Sequence, residues 1–266
     1  GKPSGTSVVQ RLPSSRSSLY PRGEGWAKIL PLILVRYTMA DTKKAISQDR
    51  KRTNILHNGE LALIAYLVER IPRWVTSNML TALGLMGNLS VAFVMLLAAW
   101  YHDSTWLLLT PVGFAINWFG DSLDGRLAYY RNRPRKWFGF CLDIVVDWIG
   151  IVAIGLGYYT YVHPDWKIIG FIFVVLYGAE MIISQLRYKV TDKYSIDSGL
   201  LGPTEVRIIL AALFCLEYFV PGSIHWIGLA ISVVLLVSFI SDFVKLLDAA
   251  NERDAALRQE QATKAN

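Results

Sequence analysis

The stretch that decides the fold is residues 121–147, which read DSLDGRLAYYRNRPRKWFGFCLDIVVD. It places four aspartates in two apolar segments, where a charged side chain surrounded by hydrocarbon costs about 3 kcal/mol or more. Asp121 and Asp124 are three residues apart, and Asp143 and Asp147 are four apart. At these spacings each pair lies on one face of its own helix, and a short basic turn joins the two helices. The pattern predicts a functional acidic site between two antiparallel helices.

The distance of each aspartate from the turn indicates how the pairs meet. Asp124 and Asp143 are expected about 10 Å into the bundle, and Asp121 and Asp147 about 15 Å, at a rise of about 1.5 Å per residue. The four carboxylates should then form two facing layers. Clustered carboxylates repel one another unless cations neutralise them, and oxygen ligands favour magnesium, manganese or calcium. Two adjacent divalent ions would suit phosphoryl or phosphodiester transfer, in which they hold the attacking and the leaving oxygens.

The residues beside the acids favour a large anionic ligand. Gly125 and Gly139 lie on the turn side of the aspartates and leave room for a ligand to approach the backbone. A diphosphate fits that space. The net charge of +6 suits anionic lipid headgroups and anionic substrates better than nucleic acid, for which the sequence has no motif.

The composition is that of a membrane protein, with 53% hydrophobic residues, nine tryptophans and a mean hydropathy of +0.34. Apolar stretches of spanning length predict six transmembrane helices in one all-α domain, near residues 79–101, 106–130, 137–162, 167–189, 206–221 and 224–246. Basic residues fall on alternate connections between these stretches. The positive-inside rule therefore places both termini and the mouth of the acidic site in the cytoplasm, and we expect a bacterial inner (cell) membrane.

The regions outside the six helices differ in character. Residues 1–38 are interpreted as a leader outside the fold, either native or artificial, with Met39 as the expected native start. Residues 39–78 are expected to form a basic cytoplasmic segment and an amphipathic helix near 55–72 that lies in the membrane interface. The catalytic transmembrane domain is assigned to residues 79–247, and residues 248–266 to a charged cytoplasmic tail.

The acidic stretch resembles the signature of the CDP-alcohol phosphotransferases, D-x2-D-G-x2-A-R-x8,9-G-x3-D-x3-D. The matching positions are Asp121, Asp124, Gly125, Ala128, Gly139, Asp143 and Asp147. Tyr129 stands where the family has arginine. The resemblance implies an enzyme that binds a CDP-linked alcohol at its cytoplasmic side, passes the phosphoryl-alcohol group to a second alcohol and releases CMP.

The resemblance also implies roles for the four aspartates. Asp121, Asp124 and Asp143 would be ligands of two divalent ions, Mg²⁺ or Mn²⁺. Asp147 would be the general base on the acceptor hydroxyl and would share in the second metal.

The resemblance implies a nucleotide site beside the metals. Gly125, Ala128 and Gly139 would let the cytidine and diphosphate approach the backbone. The stretch TSNMLT, residues 76–81, resembles the family's P-N-x-x-T motif and adds Asn78 and Thr81, although an ordinary helix cap also explains it.

Tyr129 leaves one part of nucleotide recognition open. Arg126 and Arg131 are the candidates to replace the missing arginine, but neither occupies the same helical position.

The acceptor pocket is assigned to polar residues on the fourth and fifth predicted spans. Glu180, Ser184 and Arg187 form a polar stripe at i, i+4 and i+7, and Glu205 and Arg207 stand at the start of the next span. The family builds its acceptor pocket from such residues near the metals. The alternative is purely structural, for example an ion pair between Glu180 and Arg207.

Two substrate branches stay open. One transfers phosphatidyl from CDP-diacylglycerol to a small alcohol, and the compact six-span length favours it. The other transfers phosphocholine or phosphoethanolamine to a lipid alcohol, and residues 202–205, GPTE, resemble part of those enzymes. A homodimer is common among relatives.

Two other classes of protein are weaker alternatives. Intramembrane prenyltransferases also bind magnesium and diphosphate through aspartates, but on well-separated helices. A cation transporter would explain buried carboxylates, but not the small residues at the family's spacing.

Overall fold

Helices form all the regular structure in residues 57–191 and 203–265, which are the residues that the computed structural model describes. They are α1 (His57–Val68), α2 (Ser77–Tyr101), α3 (Thr110–Tyr130), α4 (Lys136–Tyr161), α5 (Lys167–Thr191), α6 (Pro203–Phe219) and α7 (Ser223–Ala265). Two short 3₁₀ segments, Ser104–Leu109 and Pro164–Trp166, precede α3 and α5. The predicted all-α class is confirmed. The leader, residues 1–38, and the basic segment as far as residue 56 lie outside the described residues.

Four of the described helices are long and apolar enough to cross a membrane: Ser77–Tyr101, Lys136–Tyr161, Pro164–Thr191 and Ser223–Lys264. These helices indicate an integral membrane protein. The helices α3 and α6 are not among these four. The sequence of α3 contains the charged residues Asp121, Asp124 and Arg126, and α6 has only 17 residues. The structure therefore has a helix at each of the six predicted positions, while the number of six membrane crossings stays a prediction.

The turn between α3 and α4 places the two acid pairs side by side. Asn132 adopts a left-handed conformation with φ 53°, which asparagine tolerates better than most residues. The backbone N–H of Arg133 donates to the carbonyl of Ala128 at 2.9 Å and closes the end of α3. The chain thus reverses within five residues, 131–135, and α4 begins directly after the turn.

Glycines let α2 lie very close to α3. A Cβ at Gly120 would collide with the backbone of Gly84 and Leu80, and one at Gly87 would collide with the backbone of Asn117. Larger residues at these positions would separate the helices. The close approach brings the first turns of α2 alongside the acidic end of α3.

The short helix α1 packs on this end of the bundle. Its buried residues Ile64, Ala65 and Val68 belong to one apolar cluster with Leu80 of α2 and with leucines of α3. The side chains of Leu63 and Tyr66 on its other face are also apolar and are exposed. A helix therefore exists where the amphipathic helix was predicted, and its position in the membrane interface stays a prediction.

The other end of the bundle holds the larger apolar cluster, to which Met95, Phe114, Ile154 and Phe214 contribute. Its one deeply buried acid is Glu217 at the end of α6, with 4% of its side chain exposed. Glu217 accepts hydrogen bonds from the backbone N–H groups of residues 222 and 224, at 2.9 and 2.8 Å, at the start of α7. The hydroxyls of residues 223 and 161 also donate to it, at 3.0 and 3.3 Å. Glu217 thereby joins α6, α7 and α4.

Candidate active site

Three aspartates of the predicted site converge between α3 and α4. One carboxylate oxygen each of Asp121, Asp143 and Asp147 lies within 4.8 Å of the others, and all three residues are partly buried. The i, i+4 spacing of Asp143 and Asp147 and the short turn before α4 produce this arrangement. Three like charges at such distances repel one another, so the group is suited to hold a divalent cation.

Asp124 is held by hydrogen bonds from α2 and from the backbone of α3. The hydroxyl of Thr81 on α2 donates to its Oδ2 at 2.6 Å, and the backbone N–H of Gly125 donates to its Oδ1 at 2.5 Å. Only 8% of Asp124 is exposed. Asp143 gathers with Asp121 and Asp147 and also lines a cavity with Asp124. The arrangement of all four carboxylates in two facing layers stays a prediction.

A cavity of about 330 Å³ opens next to the acids, between α2, α3 and the start of α4. All five residues predicted to bind the nucleotide line it: Asn78, Thr81, Gly125, Ala128 and Gly139. No atom lies within 4 Å of a Cβ placed at either of these glycines, apart from their own helix and chain neighbours. The glycines thus widen the cavity, whereas those between α2 and α3 are needed for helix packing.

The first turn of α2 begins with a helix cap and also lines the cavity. Thr76 is the N-cap and accepts a hydrogen bond from the backbone N–H of Met79 at 3.3 Å. Asn78 and Thr81 follow it and line the cavity. A helix cap and a cavity-lining surface therefore share this turn.

Tyr129, at the position of the signature arginine, also lines the cavity. The basic residues that line it are Arg135 and Lys136, which were not predicted to bind a ligand. Arg135 donates to Oδ1 of Asn78 at 2.5 Å, and its guanidinium lies 4.3 Å from the ring centre of Phe138. Their place in the basic turn beside the acids was the signal in the sequence that could have identified them.

The two arginines proposed as replacements point elsewhere. Arg126 donates to the carbonyl of Ser122 on its own helix at 3.1 Å. Arg131 donates to the carbonyls of Val75 at 2.5 Å and Pro72 at 2.9 Å, in the connection between α1 and α2. Neither of them is among the residues that line the cavity.

Arg207 of α6 is the residue of the predicted acceptor pocket that reaches the acids. Its side chain forms an ion pair with Asp121 and donates through Nε to Oδ1 of Asn117 at 2.6 Å. Asn117 in turn donates to the carbonyl of Gly84 at 2.9 Å, so it fixes the guanidinium relative to α2 and α3. The structural alternative predicted from the sequence was an ion pair of Arg207 with Glu180, but Arg207 pairs with Asp121 instead.

The remaining acceptor candidates are not among the residues that line the cavity. Arg187 forms an ion pair across to Asp242 of α7 at 3.2 Å, and Ser184 is partly buried on the same helix as Arg187. Oε1 of Glu180 is buried and has no hydrogen-bond partner among the described residues. Glu205 is buried in the first turn of α6 with 7% of its side chain exposed. The structure therefore brings one of the five acceptor candidates, Arg207, into contact with the aspartate group.

Comparison with known proteins identifies the family. The family model described as CDP-alcohol phosphatidyltransferase matches residues 74–238, which include all four aspartates and the cavity. No curated protein matches the chain. Because the match covers more than half of the sequence, the chain belongs to the CDP-alcohol phosphatidyltransferase family. The resemblance inferred from the acidic signature is confirmed.

Proposed function

We propose that this family member transfers phosphatidyl from CDP-diacylglycerol to a small alcohol and releases CMP. The observation that carries the proposal is one arrangement: three converging carboxylates beside a cavity that all five predicted nucleotide-binding residues line. The phosphoalcohol transfer itself is the activity that the family suggests. The choice of CDP-diacylglycerol, the acceptor and the two-metal mechanism are parts of the proposal.

The residues present fit divalent cations. Asp121, Asp143 and Asp147 offer only oxygen atoms, which magnesium and manganese prefer as ligands, and their atoms are close enough to share an ion. Asp124 adds a further carboxylate at the edge of the cavity. Two such ions, when bound, neutralise the charge that develops on the phosphoryl oxygens during transfer.

The protein's own residues would position both substrates. The cavity would hold the CDP moiety against Gly125 and Gly139, where the backbone is open. A carboxylate oxygen of Asp147 would take the proton of the acceptor hydroxyl. The acceptor oxygen then bonds to the phosphorus that carries the alcohol, and the bond from that phosphorus to the oxygen of CMP breaks. Thr81 keeps Asp124 oriented, and Arg207 keeps Asp121 oriented.

The acceptor site is proposed around Arg207, with Glu180, Ser184, Arg187 and Glu205 as further candidates. The alternative is phosphocholine or phosphoethanolamine transfer to a lipid alcohol. It is supported by the GPTE resemblance at residues 202–205, whose Glu205 is buried at the start of α6.

The cellular setting is also proposed. The apolar helices support a membrane location, and the basic residues support a cavity that faces the cytoplasm. The membrane is proposed to be a bacterial inner membrane. Membrane lipids would surround the exposed apolar helix faces, and the enzyme is proposed to act as a homodimer.

A substrate panel tests the function. Purified protein with Mg²⁺ or Mn²⁺ is given CDP-diacylglycerol, CDP-choline or CDP-ethanolamine, each paired with labelled acceptors, and lipid product and CMP are measured. We expect CMP only when donor and acceptor are both present, and product from CDP-diacylglycerol. Product from CDP-choline or CDP-ethanolamine would favour the alternative branch, and ion flux without CMP release would indicate a transporter.

Asp147→Asn tests the general base. The variant keeps the other three carboxylates but cannot take up the proton, so we expect kcat to fall by roughly 10²–10⁴-fold. Binding of CDP should change only a few-fold. Asp165→Asn, in an exposed connection, is the matched control and should keep wild-type activity. Full activity of Asp147→Asn would show that another group accepts the proton.

A further inference from the structure

The arginines around the turn between α3 and α4 bind different partners. The guanidinium of Arg126 is directed to a carbonyl of its own helix, and that of Arg131 to the carbonyls that join α1 to α2. Arg135, at the end of the turn, lines the cavity instead. The turn therefore places the guanidinium of Arg135 next to the predicted nucleotide site. Arg126 and Arg131, which are nearer to Tyr129 in the sequence, do not line the cavity.

The exposed side chain of Arg135 makes two contacts at the cavity. The ring of Phe138 lies under its guanidinium at 4.3 Å, and Asn78 accepts one of its hydrogen bonds at 2.5 Å. A guanidinium has five N–H donors in a planar fork, so one bond to Asn78 leaves donors that can bind two phosphate oxygens together. Lys136, the next residue, adds a point charge but lacks this fork.

The cavity also has acidic residues, whose charge a cation would offset in addition to the proposed metal ions. Asp124 and Asp143 line it and would repel the diphosphate of a nucleotide. Tyr129 brings an aromatic ring and a hydroxyl to the cavity but no positive charge, although the signature has arginine there.

We propose that Arg135 binds the diphosphate of the CDP-alcohol and replaces, from the following turn, the arginine that the family signature has at the position of Tyr129. The inference rests on the proposed function. It assigns a donor-binding residue that lies outside the signature positions, and it makes Tyr129 compatible with nucleotide binding.

Two single variants test the assignment. Arg135→Gln removes the charge from the cavity, and Arg133→Gln removes the same charge from the same turn at a residue that is not among the cavity's lining residues. CDP binding is measured by calorimetry in detergent with Mg²⁺, together with the KM for donor and for acceptor. We expect Arg135→Gln to weaken CDP binding and to raise the donor KM by about 10–100-fold, as for loss of a charged hydrogen bond. The acceptor KM should stay within a few-fold, and Arg133→Gln should resemble the wild type.

A rescue variant tests the replacement itself. Adding Tyr129→Arg to Arg135→Gln should restore CDP binding to within a few-fold of the wild type, whereas Arg135→Lys should restore it only in part. Thermal unfolding of each variant shows whether it is folded. Equal CDP binding by Arg135→Gln and Arg133→Gln, or weakened binding that Tyr129→Arg fails to restore, would overturn the inference.

Different results would contradict the proposed function and the role of Arg135. Wild-type protein that binds no CDP and releases no CMP would contradict the proposed function. Wild-type binding that does not depend on Arg135 would contradict this inference alone.

Discussion

The two ends of α4 show two ways in which a membrane helix bundle contains buried acids. At one end Asp143 faces other carboxylates, and about 27 Å further along the helix Tyr161 donates to Glu217. Glu217 is more deeply buried than Asp143, yet both its oxygens accept hydrogen bonds, two of them from N–H groups at the start of α7. The positive end of a helix dipole favours an acid there. Glu217 is therefore satisfied by the fold.

The acids at the other end lie close to one another and carry clustered negative charge. Arg207 neutralises part of the charge through Asp121, but three carboxylates remain within 4.8 Å of one another. Clustered like charges lower stability unless a cation binds, which is the usual compromise at a functional site. The comparison distinguishes an acid whose hydrogen bonds join three helices from acids that are proposed to bind metal ions.

Asp143→Asn is expected to have the largest effect on activity. It tests whether the acids between α3 and α4 differ in role from Glu217. Loss of a carboxylate shared by the aspartate group and the cavity should lower turnover by at least about 10³-fold, as losses of such electrostatic groups do. The melting temperature without divalent ions should stay the same or rise, because repulsion decreases. CMP release and thermal unfolding in detergent measure the two. Asp254→Asn, in the exposed tail, controls for the loss of charge. A large fall in melting temperature would mean that Asp143 is a structural acid like Glu217.

Glu217→Gln should lower the stability of the protein and leave its activity nearly unchanged. The amide keeps one acceptor but turns a donor toward buried N–H and hydroxyl groups, which should cost about 2–3 kcal/mol of unfolding free energy. Activity at low temperature should remain close to the wild type, since the residue is far from the cavity. Thermal unfolding is compared with that of Glu260→Gln, an exposed glutamate paired with Lys264, which should change stability by less than about 0.5 kcal/mol. Lost activity with an unchanged melting temperature would contradict the assignment.

Arg207→Gln should have a smaller effect, on stability. It tests whether the charge of the aspartate group is what Arg207 compensates. Without divalent ions the variant should be less stable by about 1–2 kcal/mol, since Asp121 loses its cation and both side chains are partly exposed. Mg²⁺ should reduce this deficit, because it neutralises the same carboxylates. Thermal unfolding over a Mg²⁺ titration measures the change, with Arg258→Gln in the exposed tail as control. A deficit that is identical with and without Mg²⁺ would show that Arg207 acts by packing alone.

Much of the candidate site follows from local spacing and could be predicted. Residues on one helix face are fixed by the helical period, and a five-residue turn leaves little choice in how α3 and α4 meet. Asn78 and Thr81 could be placed because a short motif at the start of a helix has a defined geometry. The cavity then brings them together with Gly125 and Gly139 as expected.

The direction of long side chains could not be predicted in the same way. Arg126, Arg131 and Arg135 have similar positions in the sequence, but their guanidinium groups lie several bonds from the backbone and bind the nearest acceptors. The sequence offered Glu180 as a partner of Arg207, and only the packing of α6 on α3 brings Arg207 to Asp121. Glu217 carried no pattern at all, because its partners belong to a turn and to another helix.

By itself the sequence determined the helical class, the family and the four aspartates, since these depend on hydropathy, helical period and residue spacing along a single chain. The tertiary structure decided which acids converge, which arginine reaches the cavity and which buried carboxylate belongs to the fold. Those outcomes depend on distances between helices, and in this protein glycine contacts between α2 and α3 and a left-handed Asn132 set them.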